Sequence, residues 1–226
     1  MELLIRIKMN ENLFLRDPES TELGRKIVRQ SILLIQEMGF EDFTFKKLAV
    51  AIHTTEAGIY RYFENKHRLL VYLVTWYWNL LEYQVLFQIN NLTDSELRIR
   101  KVIELLSREM EESLSGNDID YKALYQIVIA ESNKVYLTKD VEANNKAQLF
   151  KPYKDLCARI ADLFTEFNPG YPFPRSLAST LLEMAHFQYF FMNHLPSLTD
   201  FGKEKDTTKL HEFLEVLVFS NIRNGK

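Results

Sequence analysis

Residues 44–70 read TFKKLAVAIHTTEAGIYRYFENKHRLL. Thr44 is a candidate N-cap, its hydroxyl placed to accept from an unpaired amide of the following turn. Leu48, Ala49 and Ile52 then fall on one side at i, i+1 and i+4. The helical pattern breaks at His53-Thr54-Thr55, and a second helix starts there, capped by Thr54 or Thr55. Ile59 and Phe63 make its apolar stripe, while Glu56, Ala57, Tyr60 and Arg61 make the opposite side. That side carries almost no bulky aliphatic residue and has no evident reason to be buried. Small, hydroxylated and basic residues on a short, supported helix suit insertion into a DNA major groove. A long third helix begins near Lys66.

This run, together with residues 25–44 (RKIVRQSILLIQEMGFEDFT), resembles the DNA-binding domain of TetR-family transcriptional regulators. The residues that carry the resemblance are Gly39, Thr44, Leu48-Ala49, Thr55, Ile59-Tyr60, Tyr62-Phe63, Lys66 and Leu69, across roughly the first third of the chain. The pattern is specific as a combination, not residue by residue. Two positions depart from it: His53 and Thr54 stand where the family usually has Gly then Val. His is among the non-glycine types enriched in the left-handed region, so the turn survives at some strain. Thr54 is close to Val in shape, but its hydroxyl needs a partner if buried.

Composition sets the class. Of 226 residues, 46% are hydrophobic and 26% charged, which indicates a globular chain with a substantial core. With only 7 Gly and 6 Pro and mostly helical apolar spacing, the expected class is all-α: an N-terminal three-helix DNA-binding domain with a helix-turn-helix, plus a larger helical domain. The formal net charge of −3 excludes a bulk-basic nucleic-acid binder, so DNA contact requires a local patch. Between residues 43 and 70, Lys46, Lys47, Arg61, Lys66 and Arg68 outweigh Glu56 and Glu64. Cys157 stands alone, so no internal disulfide forms, and a small apolar role is expected for it. Arg6, Lys8 and Glu11 interrupt the N-terminus too often for a signal peptide, and the apolar run from Leu69 to Trp78 falls short of a membrane span. A cytoplasmic location is expected.

The chain divides into a mobile N-terminal arm (1–19), the helix-turn-helix domain (20–66) and a helical effector-binding and dimerisation domain (67–226). The first helix is predicted from Glu22 to Met38, stopped by Gly39, with Phe40 and Phe43 packed beneath the helix-turn-helix. Further helices are predicted over 66–89, 94–114 (capped by Thr93 or Asp94) and 119–133, and over 140–167, kinked or split by Pro152. Two more follow the loop at 168–174, over 175–194 and 206–223. These last two are apolar on more than one side. That predicts a four-helix dimer interface including Leu181, Met184, Phe213, Leu214 and Leu217, as the resemblance also implies.

No glycine-rich phosphate loop, nucleophile elbow or paired CxxC is present, so no enzyme and no cofactor are expected. Glu183-x-x-His186 has the spacing of half a di-iron bundle site, but no second copy exists, and a pocket or core histidine is the better reading. The helix from Lys66 is rich in Tyr and Trp, whose polar handles favour a cavity for something flat or greasy. Trp76, Tyr83, Phe87, Met110, Tyr125, His186, Phe187 and Phe190 are the candidate effector residues, although aromatic residues at helical spacing are more often core.

Three functions compete, the third being a metal-dependent helical-bundle oxidase, which predicts bound iron. The first is a ligand-released repressor that binds a near-palindromic, double-stranded operator as a homodimer. Thr44, Lys46, Tyr60, Tyr62 and Lys66 then hold phosphates, and Thr55, Glu56, Ala57 and Arg61 reach base edges, with Arg61 equally suited to a phosphate. An apolar or aromatic small molecule is its effector. The second is an all-α ligand carrier or interaction protein whose helix-turn-helix is only a packing unit.

Overall fold

The structure is a computed structural model that describes residues 8–108 and 119–224. Among these, the regular structure is helical throughout: α1 (Glu22–Asp42), α2 (Phe45–Ala51), α3 (Glu56–Tyr60), α4 (Lys66–Ile89), α5 (Ser95–Leu106), α6 (Tyr121–Glu131), α7 (Asn133–Tyr136), α8 (Val141–Lys146), α9 (Lys151–Phe167), α10 (Pro174–His194) and α11 (Thr207–Asn224). Short 3-10 turns lie at Glu11–Leu13, Pro18–Ser20 and Pro196–Leu198. The described residues fall into two compact units, one of 8–80 with 119–151 and one of 81–108 with 152–224.

In the first unit the helices start where side chains can cap them. Thr21 accepts from Gly24 N–H, Thr44 from Lys47 N–H and Asp120 from Ala123 N–H. Asn65 does the same for the first turn of α4, accepting from Arg68 N–H at 2.8 Å. Gly39, at φ 78° and ψ 162°, breaks α1, and one further turn carries the chain to Asp42. α4 is apolar on every side and is buried continuously from Leu69 to Trp78. α6 packs on α1, and Thr75 Oγ1 donates to Leu149 O, which ties residues 119–151 to the same core as the helix-turn-helix.

Residues 8–19 differ from the expected loose arm. Asn10 and Asp17 cap the two 3-10 turns, Leu13 is fully buried, and Leu15 N–H donates to Tyr62 O at 2.8 Å. Buried Met9, Leu13 and Pro18, the Leu15 backbone bond and an Asn10 Nδ2 bond to Ala147 O hold a stretch that has no period of its own. The break in 140–167 also falls elsewhere than at Pro152. The chain turns through Gln148, at φ 59°, and Pro152 sits in the first turn of α9, where its missing N–H costs nothing.

In the second unit α10 packs on α11, and α5 packs on both. Asp94 is the cap of α5, accepting from Leu97 N–H at 2.9 Å. Arg100 bridges Glu96 and Glu215 at 2.7 and 2.6 Å, and Arg223 adds a bond to Glu96 at 2.9 Å. α5 ends at Leu106, where Ser107 caps it and donates its N–H to Ile103 O, short of the expected end at residue 114; the expected break at 115–118 lies outside the described residues.

Candidate nucleic-acid interface

Helices of seven and five residues do not persist alone in water, so α2 and α3 exist because they are packed. Phe45, Leu48, Ala49 and Ile52 are buried from α2 and its C-cap, and Ile59, Tyr62 and Phe63 from α3 and the residues after it. The turn between them is a Schellman arrangement: Thr54 N–H donates to Ala49 O at 2.9 Å and His53 N–H to Val50 O at 3.2 Å. His53 occupies its left-handed position, at φ 56°, where glycine is usual. Of the two candidate caps for α3 the structure selects Thr55, whose Oγ1 accepts from Gly58 N–H at 3.1 Å.

What remains outward is the side that carries no aliphatic bulk. Ile59 is fully buried, while Thr55, Glu56, Ala57, Tyr60 and Arg61 are exposed, with Thr44 and Lys46 exposed at the start of α2. Tyr60 is 47% exposed, and its ring stands edge-on to Phe45 at 5.0 Å, a support that leaves part of the side chain in solvent.

Two residues expected at phosphates are turned inward. Tyr62 is only 2% exposed; its hydroxyl pairs with Thr21 Oγ1 at 2.7 Å and the Arg16 guanidinium lies 5.5 Å from its ring centroid. The Lys66 ammonium donates to Phe40 O, Glu41 O and Phe43 O at 2.9, 2.9 and 3.1 Å and lies 4.8 Å from the Phe40 ring centroid. An ammonium has three protons, so Lys66 is occupied in capping the end of α1. The patch is also thinner than its lysine and arginine count suggests: Lys47 Nζ donates to Asp42 O and Arg68 to Asn144 Oδ1.

A second charged cluster lies at the end of α1. Lys134 pairs with Glu41 at 2.6 Å and Glu131 at 2.7 Å, and Glu131 also accepts from Phe40 N–H at 3.3 Å. The Lys134 hydrogen bond and charge hold the Glu41 carboxyl below its usual range. Sequence reasoning missed this cluster, because an i,i+3 Glu-Lys pair looks like a solvated surface pair.

The candidate effector residues belong to both units. Trp76 and Tyr125 are buried in the first unit, and Tyr125 lies 6.0 Å from the ring of Tyr77. In the second unit Tyr83 and Phe87 are exposed, Phe187 and Phe190 are half-buried, and His186 is buried. Met110 lies outside the described residues. Burial pushes His186 down to about 4, and Glu183 accepts from Tyr153 Oη at 2.7 Å. A groove of about 640 Å³ in the second unit is bordered instead by Arg100, Lys101, Glu104, Ser107 and His211, with Lys101 already paired to Glu104. Of the residues expected at a dimer interface, Leu181 and Leu214 are fully buried within their own unit, whereas Phe213 is exposed and Met184 and Leu217 are half-buried. Val216, not expected there, is 65% exposed on the same helix as Phe213. Among the described residues no three or more His, Cys, Asp or Glu are grouped to hold a metal ion, and no helix is long and apolar enough to cross a membrane.

A packed helix-turn-helix whose second helix is bare on one side is the arrangement with which known proteins read duplex DNA. Residues 27–73 match the family model described as bacterial regulatory proteins, tetR family. The fold is similar to that of AibR in complex with isovaleryl coenzyme A and operator DNA, at a TM-score of 0.58 and 19% identity over 84% of this chain and 97% of that one. It is also similar to apo AibR (TM-score 0.53, 19% identity, 84% and 96% covered) and to the fatty acid degradation regulator FadR from Bacillus halodurans (0.54, 16%, 85% and 93%). No curated protein matches the chain. The family match is thus confined to the helix-turn-helix segment, and the likeness to the solved regulators is one of fold.

Proposed function

We propose that the protein is a ligand-released repressor that binds a near-palindromic operator as a homodimer. The bare side of α3 carries this reading: Thr55, Glu56, Ala57, Tyr60 and Arg61 are exposed on a helix whose other side is anchored by buried Ile59. In a major groove, Glu56 accepts from a cytosine amino group, Ala57 meets a thymine methyl and Arg61 takes a guanine edge or a phosphate. Thr44, Lys46 and Tyr60 hold the backbone. Two-fold symmetry sets the half-sites about one helical turn, ~34–36 Å, apart. Exposed Phe213 and Val216 on α11, with half-buried Met184 and Phe187 on α10, supply the apolar surface for a second copy. The effector is an apolar or aromatic small molecule. Because AibR was crystallised with isovaleryl coenzyme A, acyl-CoA thioesters are the first class to test.

The experiment is a gel shift against the DNA upstream of the protein's own gene. Tyr60→Ala is expected to abolish the shift while the dimer stays folded. Undiminished affinity in that variant removes α3 from the groove, and the absence of any shift with the wild-type protein leaves the carrier reading.

A further inference from the structure

We propose that Glu131 and Lys134, which lie outside the helix-turn-helix, are positioning residues that set how α2 and α3 are presented to DNA. This rests on the DNA reading above. The stretch from Phe40 to Phe43 leads straight into Thr44, the cap of α2, so its placement sets the entry angle of the whole motif. It follows the break at Gly39, beyond which one short turn has little stiffness of its own. Groups from elsewhere in the chain hold it.

From α4, the Lys66 ammonium gathers the carbonyls of Phe40, Glu41 and Phe43. From the end of α6, Glu131 Oε1 accepts from the Phe40 amide at 3.3 Å. From α7, Lys134 Nζ bridges Glu41 at 2.6 Å and Glu131 at 2.7 Å. The Phe40 ring, 5% exposed, receives both ammonium groups, at 4.8 Å from Lys66 and 5.6 Å from Lys134. α6 packs on α1, so a slide of α6 against α1 strains the Phe40 bond and the Glu41 bridge together.

The Glu131 side chain is only 12% exposed, but stability is a poor reason for the Glu41–Lys134 pair. The Glu41 side chain is 77% exposed and that of Lys134 38%, and exposed pairs contribute little to folding. What several bonds converging on four residues do provide is a fixed geometry. A residue acting this way changes operator affinity without touching a phosphate, so it leaves the salt dependence alone.

The test uses the full chain and a duplex that the wild-type protein selects from a random-sequence pool. Binding is read by fluorescence anisotropy over a salt series, with thermal melts alongside. Lys134→Met and Glu131→Gln are each expected to weaken binding about tenfold, within the range that residues remote from a ligand exert on its site. The salt slope stays at the wild-type value, the melting temperature moves by only a few degrees, and Lys134→Arg restores affinity. Wild-type affinity in a folded Lys134→Met or Glu131→Gln variant overturns the proposal. A slope flatter by about one in Lys134→Met also overturns it, because Lys134 is then a phosphate contact. A wild-type protein that selects no duplex overturns the DNA reading itself.

Discussion

Lys66→Met separates the role that the family pattern gives this lysine from the one that the structure gives it. Met retains most of the apolar stem over the Phe40 ring and removes the ammonium. Three charge-assisted bonds are lost at once, to Phe40 O, Glu41 O and Phe43 O. A hydrogen bond to a charged group contributes ~1.5–3 kcal/mol net, but the Glu41 carbonyl bond is exposed and water replaces it at little cost. The part-buried carbonyls of Phe40 and Phe43 are harder to rehydrate, so the expected loss is about 2–3 kcal/mol rather than the sum of three full bonds. In urea, where small proteins show slopes of ~1–3 kcal/mol/M, the midpoint falls by about 1 M. The second arm is the salt dependence of DNA binding. If Lys66 held a phosphate, its loss would flatten the slope by about one unit. With its three protons already engaged, the slope is expected to stay unchanged while affinity falls through disorder at the end of α1. An unchanged urea midpoint with a flattened slope refutes the capping assignment.

His53→Gly removes the strain of a left-handed histidine and is expected to stabilise the fold by up to about 1 kcal/mol in urea denaturation. A loss of stability would mean that the His53 side chain makes a contact worth more than the strain. Gly24→Ala places a Cβ 2.2 Å from Pro18 O and 2.6 Å from Pro18 Cα, so the Pro18–Ser20 turn must move off α1. A cost of about 3 kcal/mol by chemical denaturation is expected, at the upper end for overpacking. For His186, held down to about 4 in the fold against an ordinary value near 6.5, the native state refuses a proton that the unfolded chain takes. Stability is therefore lost as pH falls from about 6.5 to 4, by up to ~3 kcal/mol, and levels off below; His186→Gln should remove that component from the urea-derived stability profile.

The helix-turn-helix was legible because short-range spacing defines both of its sides: apolar residues at i and i+4 face in, and what lies between them has no reason to. The caps at Thr44 and Asp94 follow from the same local rules. Direction was lost where a long side chain meets a distant partner. Tyr62 is turned inward by Thr21, 41 residues earlier, and Lys66 by carbonyls up to 26 residues earlier. No spacing within the motif encodes either partner. α10 and α11 failed differently, being apolar on several sides, so periodicity alone left open which leucines enter the core and which residues face out. Packing of α10 on α11 answered that by taking Leu181 and Leu214 inward and leaving Phe213 and Val216 outside. The contrast between Lys46 and Lys66 states the general point. Both carry the same charge and both are expected at phosphates, yet one is exposed to solvent and the other closes a helix end. A residue type at a family position therefore specifies what a side chain is able to bind. Which group it binds depends on what the rest of the chain brings within reach.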